Sequence, residues 1–287
     1  GGAPCNVLAM LGKLGYKTAF IGKVGNDEFG KLLKNTITEQ KIDATGLVMD
    51  PDAKTTLAFV DNDETGDRSF SFYRKPGADM MLKEEEVNYE LIDNCRIFHF
   101  GSLSMTDEPV RSATYAMVDY AKKKNKIISF DPNLRPPLWE SEELAAKQIW
   151  YGIEQCDILK IADNEIEWLT GTNDYDKGIE IIRERTHAKL INVTLGPNGS
   201  IAYYGDHKVF MKPYLNKDTI ETTGAGDTFG ACALHAVLKH GLDNMTDENL
   251  KEMLQFANAA ASLITTKKGA LRVMPEEKEM KELINKY

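Results

Sequence analysis

Short apolar runs alternate with amphipathic stretches along most of the chain. The runs Thr18–Val24, Ile97–Phe100, Lys126–Asp131, Ile158–Ile161 and Leu190–Leu195 predict strands, and Ser200–Tyr204 predicts one more. Between them, apolar positions recur at helical spacing over Cys5–Leu14, Glu108–Asn125, Asn164–Thr170, Asp176–Arg185, Asp227–His240 and Asp247–Thr265. Gly15, Gly171 and Gly241 each follow a helical run, where a glycine closes a helix. Alternation of this kind predicts an α/β fold, a mainly parallel sheet with helices on both faces.

Residues 54–74 break the rhythm. Thr55–Val60 and Ser69–Tyr73 alternate at period two around Asp61–Asp67, which predicts an antiparallel hairpin projecting from the α/β body. Two readings of it stay open: an edge hairpin, or a small β lid over a cleft. No internal repeat or low-complexity linker divides the chain, so 1–287 reads as a single domain with the 54–74 hairpin inserted in it.

Composition narrows the partners. With 42% hydrophobic and 28% charged residues over 287 positions, the chain can bury one large core. A net charge of −9 argues against nucleic acid and anionic membrane as general partners. It does not exclude ATP, whose charge Mg²⁺ and a local cluster of donors can meet. The four cysteines (Cys5, Cys95, Cys156, Cys232) lie far apart, as expected for reduced thiols in a cytoplasmic protein, and give no zinc pattern. His235 and His240 are five positions apart and do not share a helix face. No run reaches the ~18 apolar residues of a membrane span. The chain opens on Gly1–Gly2 rather than Met, which leads us to expect that the natural start lies upstream.

The segment Glu221–Ala231 carries the most chemistry. Gly224 and Gly226 precede Asp227, which opens the apolar helical run of Phe229, Ala233, Leu234, Val237 and Leu238. Glycines let the backbone approach a ligand closely, and N–H groups at a helix N-terminus form an anion site. Gly224–Ala225–Gly226 would then cradle a phosphate gaining charge in transit, with Asp227 placed to take a proton from an attacking hydroxyl. The plainer reading makes Asp227 an N-cap and the glycines a turn. Gly25–Lys31 has the G-x-x-x-x-G-K spacing of a P-loop, but Leu32 stands where Mg²⁺ binding needs Ser or Thr. Asp27 and Glu28 would repel phosphate. It is not read as a nucleotide site.

Other segments make a resemblance plain. Gly1-Gly2-Ala3-Pro4-Cys5-Asn6, Leu11–Gly15, Ile21–Gly30 and Asp218–Gly230 resemble the two signature regions of the ribokinase-like (phosphofructokinase B type) sugar kinases. Within that family, Phe72–Met80, Phe98–Ser104 and Asp131–Trp139 are similar to the fructokinases. The resemblance extends, with gaps, over essentially the whole chain. It implies that Gly1, Gly2 and Asn6 line a sugar pocket, with Asn6 able to donate to and accept from hydroxyls. Arg74 would reach the sugar or its growing phosphate, and Arg135 the transferred phosphoryl group. Either arginine could instead be a surface ion-pair partner. Thr194, Gly196 and Gly199 would meet the nucleotide's phosphates and ribose, or form an ordinary turn. Asn258 would lie against adenine, or be a satisfied core amide.

The family's N-x-x-E glutamate, which places Mg²⁺ and its waters, falls at Glu165 when Leu169-Thr170-Gly171 is the anchor, and Ala162 stands in place of the asparagine. Lys267–Ala270 matches a closing loop that, with the Glu221 segment, holds a monovalent cation such as K⁺. Glu221 replaces the usual aspartate there, and Val273 a frequent serine. The family's first strand, with its sugar-binding acidic residue, is not in this sequence. The resemblance also implies a homodimer formed through the lid. The resulting expectation is transfer of phosphate from MgATP to a hexose, D-fructose first, with 2-keto-3-deoxygluconate as the neighbouring substrate. A non-catalytic sugar-binding relative is the alternative of another class. A dinucleotide-binding oxidoreductase is excluded, since no early G-x-G-x-x-G follows a strand.

Overall fold

In the computed structural model, which describes residues 2–62 and 68–286, the predicted alternation is realised in chain order. Helix α1 (Ala3–Lys13) leads into β1 (Thr18–Gly25), α2 (Glu28–Glu39) and β2 (Ile42–Asp50). The hairpin β3 (Leu57–Asn62) and β4 (Arg68–Tyr73) follows, and then α3 (Tyr89–Asp93) and β5 (Ile97–Gly101). Next come α4 (Val110–Lys123), β6 (Ile127–Asp131), α5 (Glu142–Gln155), β7 (Ile158–Ala162), α6 (Asp163–Thr170) and α7 (Tyr175–Arg183). The chain ends with β8 (Leu190–Thr194), β9 (Ser200–Tyr204), β10 (His207–Met211), α8 (Ala225–His240), α9 (Asp247–Ile264) and α10 (Glu277–Ile284).

The main sheet has the order β10-β9-β8-β7-β6-β5. Strands β5 to β8 are parallel, and β9 and β10 run antiparallel at one edge. One face packs on α1, α8 and α9 through Met10, Phe229, Leu254 and Ala260. The other packs on α4, α5 and α7 through Val118, Ile149 and Ile182. Strands β1 and β2 pair parallel to each other in a separate ladder. Because the parallel strands run together, Gly101 is level with Asp131, and Ala162 with Thr194, at a common carboxyl edge. Open α/β sheets bind ligands at that edge.

Six elements escape the pattern reading: α2, α3, α5, α10, β2 and β10. In α2, Phe29 and Leu32 are exposed and only Gly30 and Ile37 are buried, so the apolar stripe is weak. Strand β2 is interrupted by Gly46, against which Phe20 and Leu91 pack.

The hairpin forms with Leu57 opposite Tyr73 and Phe59 opposite Ser71. Residues 63–67 of the predicted 54–74 segment lie outside the described residues. Its base is tied down by the stretch that mimics a P-loop. Asp27 caps α2 by accepting from Gly30 N–H (2.8 Å), and accepts also from Thr55 N–H (2.9 Å) and Thr55 Oγ1 (2.7 Å). Thr55 in turn accepts from Gly25 N–H (3.0 Å). The spacing therefore serves a knot between α2 and the hairpin. Gly30 is required by it, because a Cβ there would lie 1.8 Å from the Gly25 carbonyl oxygen.

Gly30→Ala should accordingly destabilise the protein by about 1–3 kcal/mol in urea unfolding, as overpacking does. Gly12→Ala, whose Cβ would meet its nearest atom, the Gln40 carbonyl oxygen, at 3.7 Å inside α1, should be neutral or stabilise by ~0.5–1 kcal/mol.

Candidate active site

The site forms where α8 begins, above the carboxyl edge of the sheet. Gly224, at φ 79°, occupies the left-handed region that favours glycine, and starts the helix with its α-carbon against Ala270. The helix opens at Ala225, two residues earlier than the periodicity predicts. Asp227 is therefore inside the first turn and is not its cap. The Ala225 N–H is taken by the Thr222 carbonyl (3.2 Å). Among the described residues, the N–H groups of Gly226 and Asp227 have no acceptor, as first-turn amides of a helix do not within the helix itself. Of the Gly224–Ala225–Gly226 stretch predicted as a cradle, Ala225 N–H is thus engaged within the loop, while Gly226 N–H is not.

Asn6 of α1 donates from Nδ2 to Asp227 Oδ2 at 2.7 Å, and both residues are buried. The Asn6 Oδ1 atom is buried with no partner among the described residues. Burial pushes the Asp227 carboxyl up to about 6, and the nearby Asp131 carboxylate adds to this; Asn6, Lys160 and Arg135 oppose it. A carboxylate poised near neutrality can hold and release a proton at working pH. Gly2 caps α1 at φ 109° with open space where a Cβ would be, beside the turn that carries Asn6. Gly1 lies outside the described residues.

The second wall comes from β6 and β7. Asp131 ends β6, and its Oδ1 accepts from Asn133 N–H (3.2 Å), while Asn133 bends the chain at φ 45°. Arg135 follows, half-buried, donating to the Leu134 carbonyl (2.9 Å) and close enough to Asp227 to lower its pKa. Glu165 of α6 accepts from Leu134 N–H (2.7 Å) and Ala162 N–H (2.8 Å), bracing the β6 loop against the start of α6. Burial raises its pKa. Lys160 of β7 pairs with Asp131 at 3.2 Å. Sequence reasoning missed Lys160 and Asp131 as site residues, although each sits at or near the carboxyl end of a predicted strand. His99 is a further omission: it shares a hydrogen bond with Ser129 Oγ (3.0 Å), and burial lowers its pKa to about 4, keeping it neutral.

Beyond Asp227, Thr194 ends β8, and Gly196 (φ 52°) and Gly199 (φ 105°) make the turn into β9. A Cβ on Gly199 would lie 2.2 Å from the Met211 carbonyl oxygen, so the close approach itself requires glycine. Asn258 uses its amide fully: Oδ1 accepts from Ser200 Oγ (2.8 Å), and Nδ2 donates to the carbonyls of Met211 (3.3 Å) and Lys212 (3.0 Å). The satisfied-amide reading describes its side chain, which fastens α9 to the edge of the sheet. Glu221 accepts from Gly269 N–H (2.5 Å), stitching the predicted cation loops directly to each other.

Arg74 stands at the base of the hairpin. Its guanidinium donates to Asp79 (2.7 Å), Thr106 Oγ1 (3.0 Å) and the Leu103 carbonyl (2.9 Å). It anchors the hairpin to the body from a buried position, unlike the surface ion pair weighed for it. Among the described residues, no group of three or more His, Cys, Asp or Glu could cage a metal, and no helix is long and apolar enough to cross a membrane.

Comparison with known proteins agrees with this geometry. Residues 1–277 match the family described as pfkB family carbohydrate kinase. Fructokinase-1 of Zea mays is 40% identical over 286 residues, covering 100% of this chain and 88% of the maize protein. The fructokinase of Xylella fastidiosa with bound ATP superposes with a TM-score of 0.91 at 31% identity, over 100% of this chain and 90% of that one. That of Vibrio cholerae O395 in its fructose, ADP and calcium ion bound form gives 0.89 at 30% identity, over 99% and 91%. A family match across nearly the whole length, a shared fold and a buried carboxylate at a glycine-started helix give one conclusion: the chain is a sugar kinase of ribokinase-like fold, belonging to the pfkB family of carbohydrate kinases.

Proposed function

We propose that the protein transfers the γ-phosphoryl group of ATP to the terminal hydroxyl of D-fructose, giving fructose 6-phosphate and ADP. The observation that carries this is the Asn6–Asp227 pair. One carboxylate oxygen is held by the amide, and the amide's own oxygen is a buried acceptor in need of a donor. A sugar hydroxyl supplies such a donor. Asp227 Oδ1, which makes no hydrogen bond to another described residue, accepts the proton of the attacking hydroxyl as its oxygen forms the bond to phosphorus and the bond to ADP breaks. The N–H groups of Gly226 and Asp227 and the guanidinium of Arg135 meet the charge that builds on the phosphoryl oxygens. Thr194, Gly196 and Gly199 line the turn on the nucleotide side, and Asn258 holds the strand edge against which adenine would lie.

The residues present fit Mg²⁺ bound mainly through water and phosphate. Glu165 keeps a lone pair on each oxygen beyond its two backbone hydrogen bonds, and Mg²⁺ in such sites takes one or two carboxylates alongside nucleotide oxygens. Mg²⁺ would neutralise phosphate charge. Solved relatives bind ATP, or fructose with ADP and calcium, and this supports the assignment of both ligands. A related structure is in a fructose, ADP and potassium ion bound form, and the Glu221–Gly269 contact brings together the two loops matched to a monovalent cation site. Fructose is favoured over 2-keto-3-deoxygluconate because the maize relative is named a fructokinase and the Vibrio cholerae relative holds fructose beside ADP.

A coupled ADP-release assay should show turnover with fructose well above that with 2-keto-3-deoxygluconate. Asp227→Asn should lower kcat by about 10²–10⁴-fold. Equal turnover before and after the substitution would point instead to a non-catalytic sugar-binding protein.

The same residue makes a stability prediction. Because burial raises the Asp227 pKa from 3.8 to about 6, protonation favours the folded state. That contribution is present in full below the unfolded value and lost as pH rises through about 6. Asp227→Asn should therefore gain up to about 3 kcal/mol over the parent at pH 8 and nothing below pH ~4, read from urea unfolding.

A further inference from the structure

We propose that Lys160 is a positioning residue of the phosphoryl-transfer site: its ammonium, paired with Asp131 and set beneath the first turn of α8, supplies the positive charge against which Asp227 stays ionised. The inference rests on the phosphoryl-transfer reading above and names a residue that reading does not use.

Lys160 lies on β7, level with Asn192 on β8, and its side chain turns toward α8. Its Nζ is 3.3 Å from Asp131 Oδ1 and 3.2 Å from Oδ2, with the two side chains 11% and 5% exposed. A Cβ built on Gly226 would come within 3.2 Å of the same Nζ, which places the ammonium directly against the residue preceding Asp227. A side chain at 226 would press on the lysine tip, so glycine there lets the ammonium sit close under the turn.

The charges explain why a cation belongs there. Asp131, Glu165 and Asp227 all act on Lys160, and their attraction overrides burial to raise its pKa, so it stays protonated. The groups facing Asp227 are Asn6 from α1, Asp131 from β6, Lys160 from β7 and Arg135 from the β6 loop. Of the two cations, Arg135 is half-buried and turned toward the Leu134 carbonyl, whereas Lys160 is fixed by Asp131 and packed under the helix. A buried carboxylate with no cation nearby takes up a proton, and a protonated Asp227 cannot accept another from a sugar. The fully buried Asn192, with neither amide atom satisfied among the described residues, extends the same polar row across the sheet.

The test reads Asp227 directly. Protein labelled with ¹³C at aspartate carboxyls is titrated by NMR without ligands, and the Asp227 signal is identified by its loss in Asp227→Asn. In Lys160→Met the Asp227 midpoint should move up by about one pH unit, a tenfold gain in proton affinity. Lys160→Arg should restore it. Asp131→Asn, which removes a like charge and frees the lysine, should move it down. The acid limb of kcat/KM for fructose at saturating MgATP should follow each shift. An unmoved midpoint in Lys160→Met would overturn the proposal, whatever the loss of rate. Should that variant fail to fold, Lys160→Gln decides by the same readout: an upward shift supports the coupling and an unmoved midpoint ends it. A shifted midpoint in a protein that does not phosphorylate fructose would support the role of Lys160 and sink only the sugar assignment.

Discussion

The hydrogen bond from Asn6 to Asp227 joins residues 221 positions apart in the chain, and the site depends on it. It fixes one carboxylate oxygen and so aims the other. It also offsets part of the cost of taking a carboxylate out of water. Helices α1 and α8 can bring the two residues together because they share a core in which Cys5, Ala9, Phe229 and Ala233 are buried. Small side chains on both helices allow that approach. The chemistry of the site is therefore set by helix packing, and any change that pries α1 from α8 would release the carboxylate before touching it.

A second constraint acts on the hairpin. The glycine-and-acid stretch after β1 resembles a nucleotide loop in spacing alone. Asp27 spends its oxygens on Gly30 and Thr55, and a Cβ at Gly25 would lie 2.6 Å from Thr55 N. Arg74 fastens the returning strand through Asp79, Thr106 and Leu103, so both ends of the hairpin are clamped to the α/β body. Lys23, buried between Asp50 (2.8 Å) and Glu86 (2.7 Å), secures the β1–β2 ladder next to these clamps. Both strands of the hairpin thus leave the body from fixed points.

The alternation of strands and helices was legible because the central strands are short, apolar and bounded by clear breaks. Asp227 and its glycines were legible for a different reason: a left-handed turn, a helix start and an acid are all written in four consecutive residues. Asn6 carried no local signal and emerged only through resemblance, since its meaning lies in a contact across the whole chain. Lys160 was illegible because a charged residue within Ile158–Ile161 reads as an exposed interruption of an apolar strand, while its partner lies on the next strand. Asn258, Glu165 and Arg74 were picked out through resemblance, as polar residues on the matching segments. What the sequence could not express was how much of their hydrogen-bonding capacity the backbone had already taken.

The polar row explains why a stable core tolerates these groups. His99, Ser129, Asp131, Lys160 and Asn192 cross the sheet on the face beneath α1 and α8, where apolar side chains would pack at lower cost. Two large apolar clusters, one on each face, offset that penalty. The row does what an apolar layer could not: it sets a fixed positive charge, a neutral imidazole and paired carboxylates at defined depths below a helix N-terminus. Water could solvate a carboxylate there as well, but it would also compete with the sugar for the phosphoryl group. Charge balance supplied from within the sheet keeps Asp227 ionisable in a buried position.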